Sequence, residues 1–282
     1  MAYDLSWLRA SDAKALAAAP PGWKRTGFPR VRLIVAASAL VVTLAAWLIA
    51  RAAAVDLSAV GLIALAVTLV SGALAVWALV RRGAEPTLLR LRLTAEANGF
   101  TFDPYGLTGL DFELKGAGAE LSGGRYFHDA HGTEFGTLSY TTGHDREKQT
   151  HSWHYVIATL PAKVPPMLLD ARSNDVLVSD LPSSYAKRGR LSLEGDFDKS
   201  FRLFAPMAHQ QDALYILTPD VMAVLVDDAA AYNIEFLGDR LIFFTEDEPD
   251  YERASDWAEV DRLVNTVAAK LADRAVRWAH QL

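Results

Sequence analysis

Hydrophobic residues are concentrated in two long runs without charge near the start of the chain. The first run covers 33–50, and the second covers 60–80. Each is close to the roughly 20 apolar residues that a helix needs to cross the hydrocarbon core of a bilayer. The pattern predicts a transmembrane hairpin over 31–82, with a cytoplasmic tail over 1–30 before it and a cytoplasmic domain over 83–282 after it. The alternative is a pair of buried helices in a soluble core.

The charges that flank the two runs predict their orientation. Basic residues precede the first run and follow the second, whereas the short connection carries only Arg51 against Asp56. Since Lys and Arg are enriched in cytoplasmic segments, we expect both termini on the cytoplasmic side. The flanking basic residues are Lys24, Arg25, Arg30 and Arg32 on one side, and Arg81, Arg82, Arg90 and Arg92 on the other.

Small residues recur at spacings of three and four within both runs, which places each set on one face of a helix. Faces of this kind allow helix backbones to approach closely in lipid. They predict packing of the two helices on each other or on a second copy of the chain, although Ala is also simply abundant here. The residues are Ala36, Ala39, Thr43, Ala46 and Ala50 in the first run, and Gly61, Ala64, Thr68, Ser71 and Ala75 in the second.

Beyond residue 83 the pattern changes to strands and turns, framed by two helices. A helix is expected over 86–98, and a long final helix from about Ser255. In the final helix a buried stripe is predicted from apolar residues at helical spacing: Trp257, Val260, Val264, Val267, Leu271 and Trp278. Between the two helices we expect a mainly antiparallel sheet, a short helix over 221–229 that Thr218 caps, and a hairpin over 234–244. The fold class is therefore predicted to be α+β. The expected strands are 125–130, 133–142, 152–160, 191–194, 201–205 and 213–217.

The charge and the lack of cysteine argue against several classes of function. Residues 1–82 carry a net charge of +6 and residues 83–282 a net charge of −12, within an overall charge of −6. Phosphate binding needs clustered Lys and Arg, so an acidic domain argues against a nucleic-acid partner. The chain has no cysteine, which excludes disulfides and thiolate chemistry. The acidic stretch 246–252 is interpreted as a solvated loop before the last helix.

Histidines supply the only candidates for metal binding. His128, His131, His151 and His154 lie on predicted strands or hairpin ends, where Asp129 or Asp145 could add an oxygen ligand. The alternative is that they are polar residues of hairpin loops, because residues i and i+3 of a strand point to opposite faces. Phosphate-binding loops and nucleophile elbows are missing from the sequence, so it predicts no cofactor and no catalytic residue.

Four stretches carry a family resemblance: 191–206, 212–222, 95–100 and 160–169. The first two read LSLEGDFDKSFRLFAP and DALYILTPDVM. They resemble a group of uncharacterised bacterial, largely actinobacterial, proteins that have two membrane helices and a cytoplasmic domain. The resemblance implies a multi-pass protein of the bacterial plasma membrane, and it assigns no activity.

Three functional hypotheses follow. The first is a membrane-anchored interaction or scaffold module whose cytoplasmic domain binds a protein or a small ligand. The second is a metal-dependent hydrolase built on the region from His128 to His154. The third is a structural subunit that oligomerises through the small-residue faces. The expected partners are the lipid bilayer and a protein partner or second copy.

Overall fold

A computed structural model describes residues 3–20, 70, 86–109, 120–142, 149–173, 189–193, 195–247 and 249–280. The chain divides into two compact units, one formed by Met1–Leu8 and Leu91–Leu282 and the other by Arg9–Arg90. In the smaller unit, helix α1 (Asp12–Ala17) begins at Ser11, whose Oγ accepts a hydrogen bond from the Lys14 amide. Asp12 forms an ion pair with Arg90. The boundaries predicted for tail, hairpin and domain stay predictions.

The larger unit contains a seven-stranded antiparallel sheet and several helices. Helix α2 covers 86–97, and its residues from Leu91 onward belong to this unit. The strands are β1 (Thr101–Asp103), β2 (Glu120–His128), β3 (Glu134–Thr142), β4 (Gln149–Ala171), β5 (Gly189–Leu191), β6 (Phe201–Ala205) and β7 (Asn233–Thr245). The helices are α3 (Phe197–Ser200), a 3-10 turn (Met207–His209), α4 (Gln210–Ile216), α5 (Pro219–Asp228), α6 (Ala254–Arg262), a π-helical segment (Leu263–Ala268) and α7 (Ala269–Ala279).

Strand β4 is the centre of the sheet, because it pairs with three other strands along its 23 residues. Its first half pairs with β3, its last residues pair with β6, and β7 pairs with it on both halves. The described order is therefore β1-β2-β3-β4-β6-β5, with β7 also beside β4.

The β4–β7 ladder is strongly bent at its middle. Its register shifts twice between Thr159 and Met167, and the opposing Gly238 has a φ of +62°, which favours glycine. The ring of Tyr232, just before β7, lies 6.4 Å from that of Phe243 near the end of β7. A straight strand would separate residues so far apart in sequence by roughly 35 Å. The bend therefore brings the start of β7 back towards its end.

Both faces of the sheet are buried. One face carries a hydrophobic cluster of Leu138, Trp153, Tyr155, Ile157, Leu168, Ile242 and Phe244. The other face carries stacked and edge-to-face aromatic rings, among them Phe127, Phe135, Tyr251 and Trp257. Aromatic pairs stabilise a contact beyond the effect of the apolar area that they bury. This second cluster therefore holds α6 against the sheet.

The last helix confirms the prediction of a long C-terminal helix, because α6, the π-helical segment and α7 run on without a break. The π-helical segment alters the phase of the buried face. Leu263 is fully buried, whereas the predicted core residue Val264 is half-buried. The predicted stripe is correct at Trp257, Val260 and Val267.

Two local predictions are wrong. The expected strand 213–217 is the end of α4, which begins at Gln210. The expected hairpin 234–244 is one continuous strand, β7, in which Gly238 forms part of an irregularity opposite β4 rather than a reversal of the chain. A glycine followed by an aspartate suits both a tight turn and a bulge, and only the partner strand decides between them.

The transmembrane hairpin also requires correction. Within the described part of the chain, no helix combines the length and the apolar character that spanning a bilayer requires. The described residues include neither of the predicted spans, 33–50 and 60–80, except for Val70. They also include none of the ten small residues assigned to helix packing. The fold of the described residues is α+β with an antiparallel sheet and a long C-terminal helix, and no membrane-spanning helix is found among them, which contradicts the predicted transmembrane hairpin. The assignment to the bacterial plasma membrane as a multi-pass protein is contradicted by the same finding.

Candidate functional site

A cavity of about 290 Å³ lies where the bent β4–β7 ladder meets the start of α6. Strand residues His154 and Thr245, which pair directly across the ladder, form one wall. The segment just before β7 and the loop between β7 and α6 form the others. The complete lining is His154, Ala231, Tyr232, Thr245, Asp247, Pro249, Asp250, Arg253, Ser255, Asp256 and Glu259.

Two residues of the lining, His154 and Thr245, are polar and buried, and His154 is the one that can ionise. Its side chain is only 4% exposed, and its Nε2 atom is buried without a hydrogen-bond partner. Removal from water disfavours the charged imidazolium, and it lowers the pKa of His154 to about 3. The ring is therefore neutral near pH 7. A buried polar atom without a partner is costly to a fold, so its presence here needs an explanation.

Tyrosine rings surround the imidazole on two sides. The ring of Tyr232 lies 6.1 Å from that of His154, and the ring of Tyr251 lies 5.8 Å away, both edge-on. Burial raises the pKa of both phenols, and a hydrogen bond between Tyr232 and Glu259 raises that of Tyr232 further. The Tyr251 hydroxyl is also buried without a partner. Two unpartnered polar groups therefore belong to neighbouring rings at this one place.

The loop between β7 and α6 is held by three separate contacts. Arg125 Nη1 donates to the carbonyl oxygen of Pro249 at 3.2 Å, and Trp257 Nε1 donates to that of Tyr251 at 2.9 Å. The amide of Asp250 donates to Asp256 Oδ2 at 2.6 Å. Arg125 itself has a φ of +48°, which is uncommon for a residue with a side chain. These contacts fix the cavity wall without a ligand.

The cavity is rich in carboxylates. Four acids line it, against one arginine, so its formal charge is negative. Arg253 pairs with Asp250 at 3.1 Å but is 71% exposed, and an exposed pair of this kind contributes little. Glu259 forms an ion pair at 2.5 Å with Arg262, a residue that does not line the cavity. Negative charge therefore remains on Asp247 and Asp256 even after these pairs are counted.

The four histidines predicted as metal ligands lie in different surroundings. His128 is half-buried and stacks on Tyr126, and His131 is exposed in the β2–β3 turn. His151 and His154 lie on β4 three residues apart, so they face opposite sides of the sheet. Across the described residues, no three His, Asp or Glu side chains are placed to share an ion. The metal site stays a prediction, and His154 alone of these residues reaches the cavity.

A second cavity, of about 250 Å³, lies between α3 and α5 and is mainly apolar. Its walls come from Phe197, Pro219, Met222, Ala223 and Val226, with Asp196 and Asp227 at its edge. Because this cavity is a shallow apolar surface between two short helices, it is a weaker candidate than the cavity at His154.

Sequence reasoning identified one lining residue of the site, His154, and missed the rest. The sequence indicates a solvated loop over the acidic stretch 246–252, and nothing in its pattern points to Tyr232. Only the bend of the β4–β7 ladder brings Tyr232 beside His154, and a bend within a strand leaves little trace in a sequence beyond Gly238 and the prolines of β4.

Comparison with known proteins adds no homologue from which the role of this cavity could be transferred. No family model, no curated protein and no solved structure matches the chain.

Proposed function

We propose that the α+β unit is a binding module whose ligand occupies the cavity at His154. The supporting observation is the combination of a carboxylate-rich rim with a buried imidazole that lacks a hydrogen-bond partner. Ligand sites are commonly concave, with apolar walls and a few convergent polar groups. This proposal keeps the interaction module expected from the sequence and leaves out its membrane anchor.

Binding is favoured over catalysis by the way in which the acids are used. Asp256 accepts a backbone hydrogen bond, and Glu259 contacts both Tyr232 and Arg262. Carboxylates held in this way fix the position of the cavity wall and give it negative charge. They are poorly suited to the proton transfers that a general acid or base performs, because those require a group that can change its partner.

The test is a thermal-shift screen of the full-length chain against a fragment collection with equal numbers of cationic, neutral and anionic compounds. A ligand at one hundred times its Kd adds about 2.7 kcal/mol to the free energy of unfolding. Ala231→Trp places a large ring in the cavity, whereas Ala258→Trp adds the same ring at an exposed position of α6 outside it.

We expect fragments that stabilise the unmodified chain and Ala258→Trp but not Ala231→Trp. The binding module is wrong if no fragment of any charge class distinguishes the two variants.

A further inference from the structure

The charges of the cavity bear on the class of ligand. Asp247, Asp250, Asp256 and Glu259 line it, whereas Arg253 is the one cation among the lining residues. If Arg262, which pairs with Glu259, is added, the group still carries two net negative charges. An anionic ligand would meet repulsion from every wall that the loop and α6 provide, whereas a ligand with two positive charges would balance them.

The inner wall carries no positive charge that would oppose such a ligand. The imidazole of His154 is buried with its Nε2 atom unpartnered, and its neighbours are the rings of Tyr232 and Tyr251. When the ring proton is on Nδ1, Nε2 can accept a hydrogen bond from an N–H group. A ligand nitrogen that reaches this wall would provide the partner that the protein does not.

The size of the cavity limits the ligand. About 290 Å³ is at the lower end of the range for small-molecule sites, and it corresponds to a compact molecule rather than to a peptide or a nucleotide. Tyr232, Ala231 and Pro249 add apolar surface beside the acids. A short methylene chain between two charged nitrogens fits both features.

We propose that the cavity at His154 binds a small aliphatic dication, a diamine or an amino-guanidine. This inference rests on the proposed function, since it names the ligand class of the same cavity. One charged nitrogen would lie at the acidic wall to which Asp247 and Asp256 belong, and the methylene chain would lie against Tyr232. An N–H group of the ligand would donate to His154.

The test is isothermal titration calorimetry on the full-length chain with three four-carbon probes of different charge. Putrescine is the dication, 1,4-butanediol is neutral, and succinate is the dianion. We expect putrescine to bind, with a Kd at least about fivefold lower at 20 mM than at 300 mM salt because its charges are screened. Neither butanediol nor succinate should bind measurably.

Variants connect the binding to the cavity. Asp247→Asn removes one charge of the lining, and Asp273→Asn removes the same charge at a position of α7 that is 78% exposed and outside the cavity. Loss of one charge near a bound cation should raise the Kd about fivefold or more for Asp247→Asn, and it should leave Asp273→Asn within twofold of the unmodified chain.

Three outcomes bear on this inference and on the proposed function. If fragments bind in the cavity but succinate or butanediol binds as well as putrescine does, the dication is wrong and the binding module stands. If putrescine binds equally well to Asp247→Asn and Asp273→Asn, it does not occupy this cavity, and the inference is wrong. If neither fragments nor putrescine distinguish Ala231→Trp from Ala258→Trp, both are wrong.

Discussion

The two ends of β4 each bury a polar side chain, and they satisfy it differently. Near the C-terminal end, Asp170 is 1% exposed and accepts a hydrogen bond at 2.8 Å from Arg202, directly opposite on β6. Near the N-terminal end, His154 is 4% exposed and its Nε2 has no partner.

The same strand therefore contains a completed buried contact and an incomplete one. The completed contact joins two strands, and the Asn233 side chain, which accepts from the Ala171 amide at 2.8 Å, reinforces this end of the sheet. The incomplete one lines a cavity. Other buried polar atoms also lack a partner, among them Trp153 Nε1 on the same strand, so what distinguishes the imidazole is its place in the wall of a cavity, where a ligand could complete the contact.

The largest expected effect comes from breaking the completed contact. Asp170→Ala removes the buried carboxylate that Arg202 contacts, and loss of one member of a buried pair costs about 3–5 kcal/mol. Urea unfolding of the full-length chain measures the effect. Asp196→Ala removes an exposed carboxylate paired with Lys199, and it should change the free energy of unfolding by less than about 0.5 kcal/mol. Equal effects of the two substitutions would contradict the assigned role of Asp170.

The next effect concerns the pH dependence that His154 imposes. The native ring has a pKa of about 3, whereas the unfolded ring has the ordinary value of 6.5. As the pH falls below 6.5, the unfolded chain gains a proton that the native state does not bind, so stability is lost by up to about 1.4 kcal/mol per pH unit. This loss should stop only near pH 3.

His154→Gln removes that contribution, and urea unfolding at pH 7, 6 and 5 measures it. The stability advantage of the unmodified chain over the variant should shrink as the pH falls. The control is His131→Gln, which makes the same substitution at an exposed histidine outside the cavity. A constant difference for His154→Gln would show that the native ring is protonated as readily as the unfolded one.

A smaller effect is expected from loosening the cavity wall. Asp256→Ala removes the acceptor of the Asp250 amide at the start of α6 and should cost roughly 1–2 kcal/mol. Asp261→Ala, further along the same helix, removes a contact to Asn265 at the exposed surface and should cost less. Hydrogen exchange of the Asp250 amide measures the local effect, and unchanged exchange in Asp256→Ala would contradict the contact.

The smallest effect concerns the bend itself. Gly238 has a φ of +62°, and a Cβ there would meet no atom within 4 Å, so Gly238→Ala should cost about 1 kcal/mol through backbone conformation alone. Gly238→Asn should cost less, because asparagine tolerates this conformation better. Thermal unfolding measures both, and a larger loss for asparagine than for alanine would contradict a purely conformational role.

The sequence predicts those parts of the fold that depend on periodicity. The C-terminal helix follows from the apolar spacing around Trp257, and the start of α5 follows from Thr218 and Pro219. The strand expected at 213–217 failed because a short apolar run fits a buried helix as well as it fits a strand. The transmembrane hairpin was predicted from two uncharged apolar runs with basic flanks, and no helix among the described residues is long and apolar enough to span a bilayer.

The site was less predictable than the fold. Its residues are distant in sequence, and they meet because β7 bends at Gly238 and returns Tyr232 to His154. The acidic loop has a composition typical of solvated loops, and its role as a wall depends on contacts made by Arg125 and Trp257. The cavity thus depends on tertiary structure, which a single sequence does not contain.

The most direct test of the central claim is the nitrogen NMR signal of the His154 imidazole, assigned by comparison with His154→Gln. A buried ring without a partner should give the shifts of a neutral tautomer from pH 7 down to pH 5, without titration, and the Nε2 shift should change when putrescine is added. A ring that titrates near pH 6.5 and does not respond to putrescine would contradict the account.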